Sequence, residues 1–395
     1  MICQNNSIGG NLALEVSMTD TGRINYSVVV PLEGRVPLVR RLLASIHEAD
    51  LPIGTEIEIL VVDSSPPPEA AAIKALCAEF GVRYLSGSRS VRQKRNQGAA
   101  EARHPYLLFL DSDCEASREL FIAYSESVRS AEKADWHAAA GPTRFSGGET
   151  AFTRMVQCSS LLAPFRLPEA DGILLWTTTS NFLVARQAFE SVGGFRENLP
   201  GRLGGDDTEF CLRLYEAGGR IRAVPGAFCY HSWHTWSSPW ALIRRSFRWG
   251  WMQSLILHDH QRFRRLAPPG LPVYFLSSLL ISFVAAVLGS PAFLLAAPVF
   301  LLLAVLIHAF LAASAKPSVT TFVSDLAMAL VECPFGFGKV LGSLSRGKLV
   351  GTFYRLGVDD TEMDRQFPEM VNDLWSNNIA LLLTALLLSL GMVLR

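Results

Sequence analysis

The chain has 395 residues, 49% of them hydrophobic, and its 36 basic residues balance its 36 acidic ones. That length exceeds one small domain, and the balanced charge argues against a general nucleic-acid binder. Seven scattered cysteines (3, 77, 114, 158, 211, 229 and 333), with no C-x-x-C pair, support neither a disulfide framework nor a zinc site and read as buried thiols.

The first 25 residues form an extension without a basic start and apolar run, so no signal peptide is expected and the soluble part is expected in the cytoplasm. From there strand and helix patterns alternate. "YSVVVP" (26–31) is a β-branched run closed by proline, "LVRRLLASIHEA" (38–49) has helical apolar spacing, and "EIEILVVD" (56–63) is again a strand. "EAAAIKALCAEFG" (69–81) is a helix with a glycine stop. The polar helix "SVRQKRNQGAAEAR" (90–103) precedes the strand "YLLFLD" (106–111). This succession predicts a mostly parallel, Rossmann-like sheet covered on both faces, with its ligand at the carboxyl ends of the strands. Three strand ends carry polar turns: "PLEGR" at 31–35, Asp-Ser-Ser-Pro-Pro-Pro at 63–68 and "DSDCE" at 111–115.

From 177 the order is strand, helix, loop, helix, strand and loop: "TTTSNFLVARQAFESVGGF", "GGDDTEFCLRLYEAGG" and "IRAVPGAFCYHSWHTW". Residues 237–266 are rich in Trp, Phe and Arg, and between 240 and 266 six arginines (Arg244, Arg245, Arg248, Arg262, Arg264 and Arg265) face the single acid Asp259. They read as an amphipathic helix on a membrane surface, with a wholly soluble helix as the competing reading. The segments 271–289 and 292–313, separated by "SP", and 379–394 are almost free of charge and are expected to span the membrane. The arginines before the first span place that side in the cytoplasm. Residues 319–345 carry Asp325, Glu332 and Lys339 and read as an interfacial or re-entrant segment rather than a fourth span. The expected domains are therefore a catalytic region at 26–236, the interfacial helix, and a multi-pass membrane region at 267–395.

Asp111 and Asp113, two apart on an extended strand, would point the same way and offer two hard oxygen ligands to Mg²⁺ or Mn²⁺. Such an ion usually completes its shell with substrate phosphate, which points to a diphosphate as third partner. "DDTE" at 206–209 starts a helix, and Asp206 with Glu209 fits a capping box, which leaves Asp207 to face the cleft as a base held ionised by the helix N-terminus.

The ordered set "SVVVP", "EILVVDSS", "KRNQGAAEARHPYLLFLDSDCE", "TTSNFLVARQAFESVGGF", "GGDDTEFCLRLYEAGG" and "YHSWH" resembles the family 2 glycosyltransferases over 26–250. The resemblance implies a GT-A fold, an α/β nucleotide-diphospho-sugar transferase architecture, and inverting transfer from a nucleotide-diphosphate sugar. Carried over by residue, Pro31, Glu33 and Asp63 border the nucleoside and Lys94, Arg95 and Asn96 frame the same pocket. Asp111 and Asp113, with Ser112 between them, hold metal and diphosphate, and His231 or His234 adds a metal ligand. Asp207 takes the place of the base in the family's Gly-Gly-Glu-Asp, beside Asp206. "RSFRW" (245–249) is similar to the Gln-x-x-Arg-Trp motif of polysaccharide synthases, which assigns Arg245, Arg248 and Trp249 to acceptor or diphosphate. Three departures stand out: Asp63-Ser64-Ser65-Pro66 replaces the family's Asp-Asp-Gly-Ser, "PLEGR" replaces Pro-x-Tyr-Asn, and Arg245 stands in the place of Gln.

These residues imply a membrane-anchored, metal-dependent transferase acting on a lipid-linked or cell-surface glycan acceptor, alone or with membrane partners. A processive polysaccharide synthase subunit and a non-catalytic nucleotide-sugar-binding membrane protein are the alternatives. An intact base speaks against the last, because a binder needs none.

Overall fold

The computed structural model describes residues 23–130, 136–157, 162–201, 204–266, 271–289, 291–314, 334–358, 379–380 and 383–384. The chain forms two compact units, one of 1–146 with 164–232 and one of 147–163 with 233–395.

The first unit opens with β1 (Tyr26–Leu32), α1 (Val36–Glu48), β2 (Ile57–Asp63), α2 (Pro67–Glu79), β3 (Arg83–Ser86), α3 (Val91–Glu101) and β4 (Tyr106–Leu110). α1 turns Val39, Leu42, Leu43 and Ile46 onto the sheet, at the i, i+3, i+4, i+7 spacing of one helix face. Every residue of β1 and of β4 is buried, because helices cover both faces of a parallel sheet. Fully burying each Val or Leu there contributes about 1.5–3 kcal/mol. β5 (Cys114–Ala116), α4 (Leu120–Ser130), β6 (Ala138–Ala140) and β7 (Thr143–Ser146) follow. After α5 (Ala151–Gln157), which belongs to the second unit, α6 (Ala163–Arg166) leads back. β8 (Ile173–Leu174), β9 (Asn181–Ala185), α7 (Arg186–Ser191), α8 (Asp206–Glu216), β10 (Ile221–Ala223) and β11 (Cys229–Ser232) complete the unit.

The main sheet runs β3-β2-β1-β4-β9-β6-β10-β8. β3, β2, β1 and β4 are mutually parallel, and β9 lies antiparallel between β4 and β6. The chain steps outward from β1 to β3 and then returns to the other side of β1 with β4. This reversal opens a crevice beyond the ends of β1 and β4, the place where such sheets bind ligands. A second sheet, β5-β11-β7, includes β5, which follows β4 directly in the chain.

The polar helix α3 sits against β1 and β2 of the main sheet although it carries three buried cations, Arg92, Lys94 and Arg95. Gly98 makes the approach possible: a Cβ there would stand 2.4 Å from Val29 Cγ1.

The second unit contains α9 (Pro239–Asp259), β12 (Arg264–Leu266), α10 (Leu271–Leu288), α11 (Ala296–Ser314), α12 (334–345) and β13 (Tyr354–Leu356). α9 starts where Ser238 caps Ala241 N–H with Pro239 in the first turn. α12 packs on α9 through glycine: a Cβ on Gly250 would lie 1.8 Å from the Phe335 carbonyl oxygen, and one on Gly338 2.0 Å from that of Phe247.

The segments expected to span a membrane form α10 and α11, which rise only about 27–29 Å at 1.5 Å per residue against ~30 Å of hydrocarbon. Among the described residues no helix is long and apolar enough to cross a membrane. The third expected span, 379–394, and residues 319–333 lie almost wholly outside the described residues.

Candidate active site

β4 ends at Leu110, and Asp111–Asp113 form a turn closed by the Cys114 N–H on the Asp111 carbonyl at 3.0 Å. The two aspartates are therefore not consecutive same-face positions of a strand, as their spacing suggested, and each has its own partner. Asp111 accepts from Arg95 Nη2 at 3.0 Å and keeps about a third of its side chain exposed. Asp113 is buried, accepts from Arg35 Nη1 at 2.9 Å, and lies 3.3 Å from His231 Nε2. Ser112 between them is buried too.

His231 reaches Asp113 through sheet pairing. β11 runs antiparallel to β5 with His231 opposite Cys114, and the Ser232 N–H bonds the Asp113 carbonyl at 2.9 Å. Gly141 admits this arrangement, since a Cβ there would stand 1.6 Å from the Ala227 carbonyl oxygen in the loop that leads to β11. The imidazole stacks on Phe145 at 4.8 Å, and its Nδ1 donates to the Ser232 carbonyl at 3.0 Å. That bond leaves Nε2 as the nitrogen facing the carboxylate, with its lone pair outward when the ring is neutral. A carboxylate oxygen and an imidazole lone pair repel each other unless a proton or a cation stands between them. Asp113, Cys114 and His231 form a cluster with metal-ligand spacing, their ligand atoms all within 4.8 Å. Cys114 is the weak member: burial pushes its thiol well up, and the thiol donates to the Ser180 carbonyl. Asp113 thus offers a hard oxygen that suits Mg²⁺ or Mn²⁺, and His231 a borderline nitrogen that favours Mn²⁺ over Mg²⁺. His234, the other candidate, is exposed in the second unit.

At the start of α8 the structure corrects two expectations. The N-cap is Gly205 in the left-handed region (φ 75°), with no side-chain cap, so Asp206 and Glu209 form no capping box. Asp206 is the first helical residue and accepts from Arg95 Nη1 at 2.5 Å, with Arg92 Nε 3.9 Å away; Glu209 pairs with Arg213 at 2.8 Å. The helix N-terminus does not keep Asp207 strongly acidic either. Burial, with the Asp206 carboxylate adding to it, pushes the Asp207 carboxyl up to about 7.

The nucleoside-side residues sit at the ends of β1 and β2. Pro31 is the buried penultimate residue of β1, and Glu33 follows the strand, 3.6 Å from Arg89. Asp63 ends β2, buried, and accepts from Ser65 N–H at 2.8 Å and Tyr84 Oη at 3.1 Å. Lys94 donates to the Leu32 carbonyl at 2.6 Å and Ser64 Oγ at 3.0 Å, and burial lowers its ammonium to about 8. It ties the ends of the first two strands together. The Asn96 side chain instead bonds Phe195 through both N–H and carbonyl at 2.8 Å, so it secures the turn after α7.

Two residues not singled out from the sequence belong to this network. Arg92, fully buried, donates to the carbonyls of Leu199, Gly201 and Gly204 at 2.8, 3.0 and 3.2 Å, which fixes the loop before Asp206. Its signal was the i, i+3 spacing with Arg95 on a polar helix that must still cover a buried strand. Arg35 has the only left-handed φ (65°) of a described non-glycine residue. Its signal was the departure of "PLEGR" from the family pattern.

Arg245, Arg248 and Trp249 lie on α9 of the second unit. Arg245 stacks over Trp236 at 4.1 Å, Trp249 packs against the same ring at 5.9 Å, and Arg248 is exposed.

The model of glycosyl transferase family 2 matches residues 27–193, and that of glycosyl transferase family group 2 matches 128–314. A pre-mycofactocin glycosyltransferase of Mycobacterium tuberculosis is 27% identical over 236 residues, which cover 57% of this chain and 46% of that protein. The succinoglycan biosynthesis protein ExoM of Rhizobium meliloti is 28% identical over 233 residues, 57% of this chain and 73% of that one. Among solved structures, mannosyltransferase PcManGT from Pyrobaculum calidifontis, in complex with GDP-Man and Mn²⁺, superposes with a TM-score of 0.47 at 17% identity, covering 84% of this chain and 86% of that one. The chain spans about half the length of the first of these curated relatives. The switch-point crevice between β1 and β4, the D-x-D turn at its mouth and the family model over residues 27–193 lead to one conclusion: this chain carries a glycosyltransferase domain of family 2.

Proposed function

We propose that this chain transfers a sugar, with inversion, from a nucleotide-diphosphate sugar to a hydroxyl of a lipid-linked or cell-surface glycan, using a divalent metal. The observation that carries the reading is the Arg95 bridge, 3.0 Å to Asp111 and 2.5 Å to Asp206. It joins Asp111, the first acid of the D-x-D turn, to the start of α8, where the neighbouring Asp207 has its carboxyl near 7. Charge stabilisation and proton removal are thereby brought to one partly buried network.

Asp113 and His231, with the partly exposed Asp111, would hold Mg²⁺ or Mn²⁺. When bound, such an ion supplies the positive charge that stabilises a departing diphosphate. Asp63, Glu33 and Lys94 shape the nucleoside end of the crevice. Asp207 accepts the proton of the acceptor hydroxyl as that oxygen attacks the anomeric carbon from the face opposite the leaving group. A carboxyl near 7 suits this role, because it is ionised at working pH yet basic enough to take a proton.

The name of the succinoglycan biosynthesis relative supports a glycan-type acceptor. Membrane attachment is supported by α10, where Leu280, Ile281, Phe283, Val287 and Leu288 are each at least 62% exposed in an almost chargeless stretch. We assign the hairpin of α10 and α11 to the membrane with the catalytic unit on the cytoplasmic side.

The decisive experiment is a screen of nucleotide-sugar donors with and without Mn²⁺, in wild type and Asp207→Ala. Hydrolysis or transfer that is lost in the variant while donor binding persists is expected. Equal inertness of both proteins, with donor still bound, would leave only the binding-protein alternative.

A further inference from the structure

In the second unit, β12 pairs antiparallel with β13 and closes the loop 346–353 over the C-terminal half of α9. The cleft so formed is lined by Ser254, His258, Arg264, Ser343, Arg346 and Lys348, with Tyr354 at its side. Three of these are permanent cations. Arg264 is held rigidly: its Nε and Nη2 donate to the carbonyls of Leu257 and His258 at 2.6 and 2.8 Å, and its guanidinium lies over the Tyr354 ring at 5.2 Å. The one acid beside the cleft among the described residues, Asp259, bonds His258 at 3.2 Å. Arg346 and Lys348 form no ion pair with any described residue.

Ser343 is the independent sign of a ligand. Its carbonyl accepts from the N–H groups of both Arg346 and Lys348, at 3.2 and 3.1 Å, so it anchors the turn that carries the two cations. Its hydroxyl is buried, at 4% exposure for the residue, lines the cleft, and has no hydrogen-bond partner among the described residues. A buried hydroxyl normally finds a partner.

The segments that carry the cleft also hold large apolar side chains in the open: Leu266, Leu341, Leu344, Leu349 and Val350, the first 78% exposed and the last in the cleft lining. Cations near the end of α12 are by themselves favoured by its dipole, and single exposed leucines are ordinary. Together with the orphan hydroxyl they describe a ligand that is anionic and rich in oxygen at one end and apolar at the other.

We propose that this cleft binds the phosphodiester headgroup of an anionic phospholipid, with Leu344, Leu349 and Val350 entering the acyl region. Arg346 and Lys348 neutralise the phosphate and Ser343 donates to one of its oxygens. The proposal rests on the membrane attachment inferred above and adds which lipid the protein selects.

The test uses the full chain in neutral detergent, titrated with mixed micelles containing phosphatidylglycerol or phosphatidylcholine, with binding and thermal unfolding as readouts. Phosphatidylglycerol is expected to bind at least tenfold more tightly than phosphatidylcholine and to raise the melting temperature. The double variant Arg346→Gln/Lys348→Gln should lose that preference, with its lipid-free melting temperature unchanged because both positions are exposed. Ser343→Ala should weaken the anionic lipid several-fold. Equal affinity for the two lipids, a preference that survives the double variant, or the same protection from inorganic phosphate alone each overturns the proposal. A chain that binds neither lipid and leaves membranes on a carbonate wash overturns the membrane reading beneath it.

Discussion

The Nε2 of His231 lies 3.3 Å from Oδ1 of Asp113, while its Nδ1 is committed to the Ser232 carbonyl. The pair is buried, and only a proton or a cation between them makes the contact favourable. His231→Ala is therefore expected to weaken Mn²⁺ binding by roughly tenfold or more, measured by titration in the presence of a nucleoside diphosphate. His234→Ala, at an exposed position in the other unit, should leave Mn²⁺ affinity unchanged. The opposite ranking of the two variants would move the metal away from Asp113.

Arg35 donates to the other oxygen of Asp113 at 2.9 Å and holds a left-handed backbone to do so. Its guanidinium is a competitor for any metal at that carboxylate. Arg35→Gln should raise the Mn²⁺ affinity of the nucleotide-free protein by several-fold. Electron paramagnetic resonance of free Mn²⁺ reports this without reference to turnover, and an unchanged or lower affinity would rule the competition out.

The Asp207 carboxyl, raised to about 7, makes activity depend on pH. Transfer should increase as pH rises through about 7, and Asp207→Asn should remove that acid limb and lower kcat by about a hundredfold or more. A wild-type rate flat between pH 5.5 and 8.5 would mean that Asp207 is not the base.

The same shift sets a stability trend. Because the folded carboxyl ionises near 7 and the unfolded one near 3.8, its charge costs stability. That cost is absent below pH 3.8, grows as pH rises towards 7 and is complete above it. Asp207→Asn should thus melt higher than wild type at pH 8, by roughly 2–4 °C for each kcal/mol relieved, and no higher at pH 4. Calorimetry at the two pH values checks the sign.

Asp206 neutralises two buried guanidiniums, Arg95 at 2.5 Å and Arg92 at 3.9 Å. Removing it leaves both charges buried without their shared carboxylate, so Asp206→Ala should destabilise the fold by about 3–5 kcal/mol. Denaturant unfolding measures this. A loss below about 0.5 kcal/mol, the scale of a surface change, would show that the network relaxes at no cost.

Alternating apolar patterns made the strands and helices of the first unit legible, since a buried parallel strand and a one-faced helix leave different periods in a sequence. The polar turns at 31–35, 63–68 and 111–115 likewise announced which strand ends carry chemistry. Local pattern was a poor guide where charge meets burial. The "DDTE" stretch looked like a capping box, yet Gly205 takes the cap and Asp206 turns to cations some 110 positions earlier in the chain. A cap is a contact within one turn of helix, whereas the pull of two buried guanidiniums acts only once α3 has been packed against the sheet.

What the sequence by itself determined is the order of the elements, the family, and the identity of the acids, because these follow from residue type and spacing along one chain. Only the tertiary structure decided the partners. It set His231 rather than His234 beside Asp113, through the register of β11 on β5, and it divided Asp111 and Asp113 between Arg95 and Arg35. It also raised the Asp207 carboxyl instead of leaving it acidic. Each of these outcomes depends on desolvation and on charges brought together from distant positions, and a linear sequence carries no distance between them.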